Sequence, residues 1–195
     1  MTTDQQNNKL NLPNLLSALR LIGSPFLAIL AYKNNESAFL WLLIALLLSD
    51  WLDGKLAIYL KQQSTFGARL DSIADTAMYL ALLVGLYYLK LDFVKQEATL
   101  ILTMVASFCL TCFTGLIKYH RFPSYHTQMA KSSWFVVSVA IIVLFSGGPV
   151  WPVQLAVFGV ILTNLEATAI TIILPEWKTG VLSCFHALRL RRQHH

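Results

Sequence analysis

Six long apolar stretches constrain this chain more than any other feature of its sequence. They cover residues of about 12–32, 38–60, 70–90, 98–118, 133–149 and 152–174. A helix that spans a bilayer needs roughly 20 mainly apolar residues. Because 56% of the 195 residues are hydrophobic and only 13% are charged, the sequence predicts an all-α polytopic membrane protein with six transmembrane helices in one bundle.

The rest of the chain offers no place to divide this bundle. We find no Gly/Ser/Pro-rich linker, low-complexity tract or internal repeat, so we expect residues 1–195 to form a single membrane domain. The polar start, MTTDQQNNKLNLPNLL, lacks the features of a signal peptide and is interpreted as mature sequence. The tail PEWKTGVLSCFHALRLRRQHH has apolar residues at helical spacing and is typical of an interfacial amphipathic helix.

Positive charge falls mainly on one side of the predicted spans. That side carries Lys9, Lys61, Arg69, Lys118, Arg121, Lys131, Lys178, Arg189, Arg191 and Arg192. The other side carries Lys33, Lys90 and Lys95. Since positive loops remain cytoplasmic, both termini are predicted to be cytoplasmic, in a bacterial-type inner membrane. The net charge of +5 then lies beside anionic lipid headgroups, and no aromatic-basic interleaving points to nucleic acid.

Four aspartates lie in this apolar context. The run FLWLLIALLLSDWLDGKLAIYL is typical of one helix, in which Asp50 and Asp53 share a face. After the polar turn KQQST, a second helix begins in which Asp71 and Asp75 also share a face. A short connection makes the two helices antiparallel neighbours, so we expect the four carboxylates to meet near the cytoplasmic ends of the spans.

Carboxylates that converge in a partly desolvated site repel one another, so a positive charge must lie between them. The candidates are Lys55, Lys61 and Arg69, or a bound metal. Ligands that are all oxygen favour a hard cation such as Mg²⁺ or Mn²⁺. Two such ions roughly 3.5–4 Å apart can clamp the attacking and leaving oxygens of a phosphoryl displacement. The alternative is that the aspartates are exposed or capping residues at helix ends.

The same segment resembles a known signature. The pattern D-x-x-D-G-x-x-A-R-x8-G-x-x-x-D-x-x-x-D of the CDP-alcohol phosphotransferases is present with every gap preserved. It stands here as Asp50, Asp53, Gly54, Ala57, Gly67, Asp71 and Asp75. Ile58 occupies the position where the family usually has arginine. In addition, NLPNLLSALRLIGSPFLAIL resembles the first helix of the phosphatidylglycerophosphate synthase branch.

The resemblance implies a six-helix membrane enzyme that transfers a phosphatidyl group from CDP-diacylglycerol to an alcohol and releases CMP. The four aspartates would hold two divalent cations, Mg²⁺ or Mn²⁺, and Asp75 would also take the proton of the acceptor hydroxyl. The donor-binding residues would be Gly54, Ala57, Ser64, Gly67, Asn14 and Lys61. The small residues would let the cytidine diphosphate lie close to the helices, and the family often forms homodimers.

Two positions depart from a simple assignment. At Ile58 the missing guanidinium would ordinarily help to balance phosphate charge, so we expect Lys55, Lys61 or Arg69 to replace it. Arg20 lies within the first span. It is interpreted either as an intramembrane cation paired with Glu166 or as a residue that binds the acceptor.

A basic cluster follows the fourth span, in KYHRFPSYHTQMAK. Its positive density suits a phosphorylated acceptor, and Arg121, His126 and Lys131 are the candidate ligands. The branch resembled uses glycerol 3-phosphate, although its usual Arg-Glu pair and following Arg are missing from LTCFTGLIKYH. Inositol phosphate, another polyol or a second phospholipid stay open as acceptors, and the loop could simply be a positive-inside loop.

Two other classes of membrane protein were compared with this interpretation. A cation transporter would place the aspartates along an ion path, but transporters often carry two related halves, and no repeat is present here. A prenyltransferase would carry acidic motifs in both halves, whereas these aspartates lie in one hairpin. The sequence therefore favours a phosphatidyltransferase.

Overall fold

The computed structural model describes residues 11–60, 62, 64–121, 127–176, 181 and 183–192, and within these ranges the chain is all-helical. The described part contains eight helices. They are α1 (Leu12–Tyr32), α2 (Glu36–Tyr59), α3 (Thr65–Leu89), α4 (Leu91–Gln96), α5 (Ala98–Tyr119), α6 (Gln128–Phe145), α7 (Trp151–Ile173) and α8 (Cys184–Arg192).

Five of these helices, α1, α2, α3, α5 and α7, are long and apolar enough to cross a membrane. Their outer faces carry large hydrophobic side chains, such as Ile22 and Phe26 on α1, that are exposed. Such faces are stable where lipid rather than water surrounds them, because exposure of large apolar surface to water is unfavourable. The chain is therefore an integral membrane protein.

The predicted span 133–149 differs most from the structure. Helix α6 ends at Phe145 because Gly147 adopts a positive φ of 78°, a conformation that glycine accepts without steric cost. The apolar part of α6, Ser132–Phe145, is shorter than a full span. The sixth span therefore stays a prediction.

Side chains fix the starts of four helices. An oxygen at the N-cap accepts a hydrogen bond from a backbone N–H of the first turn, which would otherwise lack a partner. The caps of α1, α2, α3 and α6 are Asn11, Asn35, Ser64 and Thr127. Two of these caps, Asn11 and Ser64, lie where the chain forms its candidate site.

The chain divides into two compact units, Met1–Phe93 and Val94–His195. In the first, α1 packs against both α2 and α3. Small residues on α1 allow close approach: a Cβ added at Gly23 would lie 2.7 Å from Cδ2 of Leu46. Leu27 on α1 and Phe39 and Leu43 on α2 are fully buried and belong to the apolar interior of this unit.

In the second unit, α7 packs against α5, α6 and α8. Polar groups join α5 to α7 within the apolar segment: the Thr111 hydroxyl bonds the Asn164 carbonyl at 2.9 Å, and the Asn164 amide donates to Ser107 Oγ at 2.9 Å. Helix α8 follows, with Ala187 buried against Ile170. Part of the apolar face of α8 is thus covered by the protein itself.

We expect Tyr119→Phe to destabilise the protein by about 1 kcal/mol, because its hydroxyl lies near two carbonyl oxygens at the end of α7 and such a bond contributes about that much. The hydroxyl is 2.9 Å from the Thr171 oxygen and 2.6 Å from the Leu174 oxygen. Thermal unfolding in detergent measures the effect. Tyr59→Phe is the control, since Tyr59 is exposed, and equal melting temperatures for both variants would contradict the prediction.

Candidate active site

The first three helices bring the four aspartates together. Asp50 and Asp53 lie on α2, and Asp71 and Asp75 lie on α3. All four face the guanidinium of Arg20, which projects from α1. The expected convergence of the two aspartate pairs is therefore present in the structure.

Arg20 is the centre of this cluster. Its Nη1 contacts Asp50 Oδ1 and lies 3.2 Å from Asp53 Oδ2. Its Nη2 contacts Asp71 Oδ1 and lies 3.4 Å from Asp75 Oδ1. Each terminal nitrogen thus faces the aspartate pair of one helix, and a single planar cation joins α2 to α3.

The structure corrects the suggested pairing of Arg20 with Glu166. The ion pairs of Arg20 are with the aspartates, and Glu166 accepts a hydrogen bond from the backbone N–H of Cys184 at 3.3 Å. Sequence reasoning missed this because it treated Arg20 alone. A polar stripe of Asn14, Ser17 and Arg20, each three residues apart on an otherwise apolar helix, is the signal that marks the face of α1 toward the site.

The four carboxylates differ in their environment. Asp53 is the most buried, with 7% of its side chain exposed, and the Ser17 hydroxyl donates to its Oδ2 at 2.9 Å. Asp50 follows at 15%, whereas Asp75 and Asp71 are 31% and 44% exposed. The α2 pair is therefore fixed within the protein, while the α3 pair is open to small molecules.

The cluster has the chemistry of a metal site. Asp50, Asp53 and Asp71 each offer an oxygen, and the three oxygens lie within 4.8 Å of one another. Carboxylate oxygens are the ligands that Mg²⁺ and Mn²⁺ prefer. Asp75 Oδ1 is buried next to this group, and its only printed partner among the described residues is the Arg20 guanidinium, 3.4 Å away. The residues present fit a hard divalent cation.

A cavity of about 250 Å³ opens beside the cluster. Polar and small residues of α1, α2 and α3 line it, together with residues of the turn that joins α2 to α3. The lining residues are Pro13, Asn14, Ser17, Asp53, Gly54, Ala57, Gln62, Ser64, Gly67, Ala68 and Asp71. Five of the six residues predicted to bind the donor are among them.

Two glycines shape this cavity differently. A Cβ added at Gly67 would lie 2.5 Å from Asn14 Oδ1 and 3.1 Å from Ser64 Oγ, so the bare backbone of α3 makes room for both polar groups. A Cβ at Gly54 would meet nothing within 4 Å. Gly54 therefore contributes open space, and Gly67 permits a close approach between α1 and α3.

Among the described residues, no lysine or arginine side chain takes the place of the arginine that the family usually has at position 58. Ile58 is 66% exposed, and the described cavity walls contain neither lysine nor arginine. The Lys55 ammonium lies over the Trp51 ring, 3.7 Å from its centroid, and Arg69 is exposed. Lys61, the third candidate, lies outside the described residues, and its role stays a prediction.

The predicted acceptor residues are only partly described. Arg121 is exposed just beyond the end of α5. His126 and the side chain of Lys131 lie outside the described residues. Another cation of this cluster, Lys118, donates to the Thr171 and Ile172 carbonyls at 2.9 and 2.8 Å, so its ammonium contributes to the end of α7.

Comparison with known proteins shows the family of this chain. The family model for CDP-alcohol phosphatidyltransferase matches residues 10–173. A cardiolipin synthase (CMP-forming) of Streptomyces coelicolor is 32% identical over 98% of this chain and 89% of its own length. A CDP-diacylglycerol–glycerol-3-phosphate 3-phosphatidyltransferase of Aquifex aeolicus is 32% identical over 90% of this chain and 97% of its own.

A relative with the same name from Haemophilus influenzae is 44% identical over 39% of this chain and 43% of its own length. No solved structure matches the chain. The family model nevertheless covers all three helices of the site, including every aspartate that contacts Arg20. This chain belongs to the CDP-alcohol phosphatidyltransferase family.

Proposed function

We propose that this enzyme transfers a phosphatidyl group from CDP-diacylglycerol to glycerol 3-phosphate and releases CMP. The observation that carries the proposal is the cavity, because it joins the aspartate cluster to the small residues of the family signature. The named activity of the Aquifex aeolicus relative, which aligns over nearly its whole length, supports this choice of acceptor.

The four aspartates are the proposed ligands of two divalent cations, Mg²⁺ or Mn²⁺. Bound there, the cations would neutralise the diphosphate of the donor and stabilise the departing CMP. The charge of the cavity supports this role: its described walls contain Asp53 and Asp71 but no lysine or arginine. Such walls repel a diphosphate unless cations compensate them.

Asp75 is the proposed general base. Its carboxylate is partly exposed, so an acceptor hydroxyl can approach it, while its buried Oδ1 faces the Arg20 guanidinium at 3.4 Å. In the transfer, an Asp75 oxygen takes the proton of the acceptor hydroxyl while the hydroxyl oxygen attacks the β-phosphorus of the donor. The bond from that phosphorus to the bridging oxygen breaks, and CMP leaves.

The donor diphosphate is proposed to lie in the cavity, between the cap of α3 and the end of α2. Asn14, Ser64 and the two signature glycines line this space. The Ser64 hydroxyl already accepts the Gly67 N–H at 2.9 Å, so its own proton remains to be donated to a ligand. Ala57 and Gly54 have no bulky side chain on the α2 side of this space. Lys61, which lies outside the described residues, is the sixth proposed donor ligand.

A second candidate is a lipid acceptor. The relative that aligns with 98% of this chain is named a CMP-forming cardiolipin synthase. Cardiolipin contains two phosphatidyl groups on one glycerol, so its formation from CDP-diacylglycerol requires an acceptor that already carries one, phosphatidylglycerol. In either case Arg121, His126 and Lys131 are the proposed ligands of the acceptor phosphate.

The membrane arrangement of the enzyme is also proposed. The distribution of positive charge supports cytoplasmic termini and a cytoplasmic site. We retain α6 as a sixth span, since its 18 residues extend about 27 Å at 1.5 Å each. Helix α8 would lie at the interface, the 195 residues would form one membrane domain, and the enzyme would be a homodimer surrounded by membrane lipid.

The test supplies purified enzyme with CDP-diacylglycerol, Mn²⁺ or Mg²⁺ and one acceptor at a time, and follows CMP and the lipid product by mass spectrometry. We expect CMP and phosphatidylglycerophosphate with glycerol 3-phosphate. Cardiolipin formed from phosphatidylglycerol instead would select the second candidate. No CMP with either acceptor, or with inositol phosphate, would refute the proposed activity.

A further inference from the structure

Arg20 is an unusual residue for its location. It lies within the apolar helix α1, and its side chain is 0% exposed. A buried charge within a membrane span is costly unless it is paired, and such residues usually serve function. Its Nε is buried with no hydrogen-bond partner among the described residues, so all its compensation comes from the two terminal nitrogens and the aspartates.

The geometry gives Arg20 a task that another cation could not perform. One terminal nitrogen faces the α2 pair and the other faces the α3 pair. The planar fork of a guanidinium spreads its charge over both nitrogens, whereas a lysine ammonium is a single point charge. Arg20 thus holds together two acidic helix faces that would repel each other without it.

The same contacts place Arg20 in conflict with bound metal. Its guanidinium contacts the carboxylates that fit a divalent cation, including all three members of the oxygen group. A cation that used these carboxylates would be repelled by the guanidinium at short range. One positive charge also leaves most of the charge of four carboxylates uncompensated, so the site retains attraction for further cations.

We propose that Arg20 is a built-in counter-ion: it stabilises the metal-free site and competes with the divalent cations for the four aspartates. The inference rests on the metal site of the proposed function. Two consequences follow. Removal of the charge should destabilise the protein when metal is absent, and the same change should tighten metal binding.

The test compares wild type with Arg20→Gln, which removes the charge and keeps a polar side chain. Free Mn²⁺ is measured by electron paramagnetic resonance during titration of each protein, and thermal unfolding is followed in EDTA and in saturating Mn²⁺. We expect the Kd for Mn²⁺ to fall at least about tenfold, by relief of charge repulsion. In EDTA the melting temperature should fall by roughly 5 °C or more, and Mn²⁺ should restore it.

Lys90→Gln is the matched control. This substitution also removes a cation from an ion pair, the one with Glu36. The pair lies at the start of α2 and the end of α3, away from the aspartates, so Mn²⁺ affinity should stay at the wild-type value. If Arg20→Gln does not fold, Arg20→Met, which also removes the charge, provides the same test, with a lower melting temperature in EDTA that Mn²⁺ restores and a lower Kd for Mn²⁺.

Four outcomes are distinguishable. A melting deficit that is equal in EDTA and in Mn²⁺ would make Arg20 a merely structural residue and overturn the proposal. Unchanged or weaker Mn²⁺ binding in Arg20→Gln would also overturn it, since Arg20 would then order the ligands rather than compete for them. Absence of Mn²⁺ binding to wild type would refute the metal site itself. Failure of CMP release with the expected Mn²⁺ results would refute only the proposed reaction.

Discussion

Asp75→Asn is expected to reduce CMP release at least about a thousandfold, within the range that general-base groups contribute. The asparagine amide has nearly the same shape, but it cannot take a proton from the acceptor hydroxyl. Asp75 Oδ1 has no hydrogen-bond partner among the described residues and lies 3.4 Å from Arg20 Nη2. The substitution therefore removes reactivity, and it also removes the charge that faces Arg20 and alters the side-chain hydrogen bond between Asp75 and Asp50.

The measurement is single-turnover CMP release at saturating donor, acceptor and Mn²⁺. Asp92→Asn provides the control, because Asp92 is an exposed carboxylate on the short helix α4. Mn²⁺ titration separates the two roles proposed for Asp75. Retained Mn²⁺ affinity with lost turnover indicates a base, and a parallel loss of both indicates a ligand. Turnover within tenfold of wild type would exclude both roles.

The sequence predicted the helices of the site well because each has both an apolar length and a clear start. Helix α1 was predicted at 12–32 and lies at Leu12–Tyr32. The prediction was poorer at the end of α6, where backbone conformation rather than side-chain polarity determines the last residue of the helix. The apolar run of α6 continues into the Gly147 region, but the positive φ there ends the helix at Phe145. Hydropathy does not contain that information.

The aspartates were predicted to converge because their spacing is local to two helices joined by a short turn. Their partner was not predicted, because the position of Arg20 depends on how α1 rotates about its axis as it packs against α2 and α3. Arg20 had another acidic residue available in the sequence, Glu166 in α7. Only the packed structure distinguishes a residue paired for stability from one that lies among candidate metal ligands.

Ile58 illustrates the same limit. A missing arginine indicates a missing charge, and the sequence offers three nearby cations to replace it. In the structure, Lys55 lies over the Trp51 ring and Arg69 is exposed, and neither lines the described cavity. The positive charge that a donor diphosphate requires is therefore expected mainly from the cations that the aspartates would hold, with Lys61 as the remaining side-chain candidate.

Alanine substitutions at the two glycines of the cavity, Gly54 and Gly67, should distinguish effects on donor binding from effects on folding. At Gly54 an alanine methyl meets nothing within 4 Å, so Gly54→Ala should fold normally and gain up to about 1 kcal/mol from helix propensity. Its methyl would project into the space proposed for the donor diphosphate. We expect the KM for CDP-diacylglycerol to rise roughly tenfold, because the methyl would displace the diphosphate and weaken its contacts with the cavity wall.

Gly67→Ala should have a larger effect, because its Cβ would lie 2.5 Å from Asn14 Oδ1 and 3.1 Å from Ser64 Oγ. Asn14 must rotate away and the cap of α3 must shift, so we expect loss of about 1 kcal/mol of stability and a rise of roughly a hundredfold in KM, since two proposed donor contacts are lost together.

Gly159→Ala is the control for both variants. It is a helical glycine whose added Cβ would lie at an ordinary 3.7 Å from Ser133 Oγ, so its KM should equal that of wild type. Steady-state assays in mixed micelles at varied CDP-diacylglycerol give the KM values, and thermal unfolding gives the stabilities. Wild-type KM in Gly54→Ala would place the donor outside this cavity. A KM in Gly67→Ala no higher than in Gly54→Ala would remove Asn14 and Ser64 from the donor site, because displacement of their side chains is the only added change.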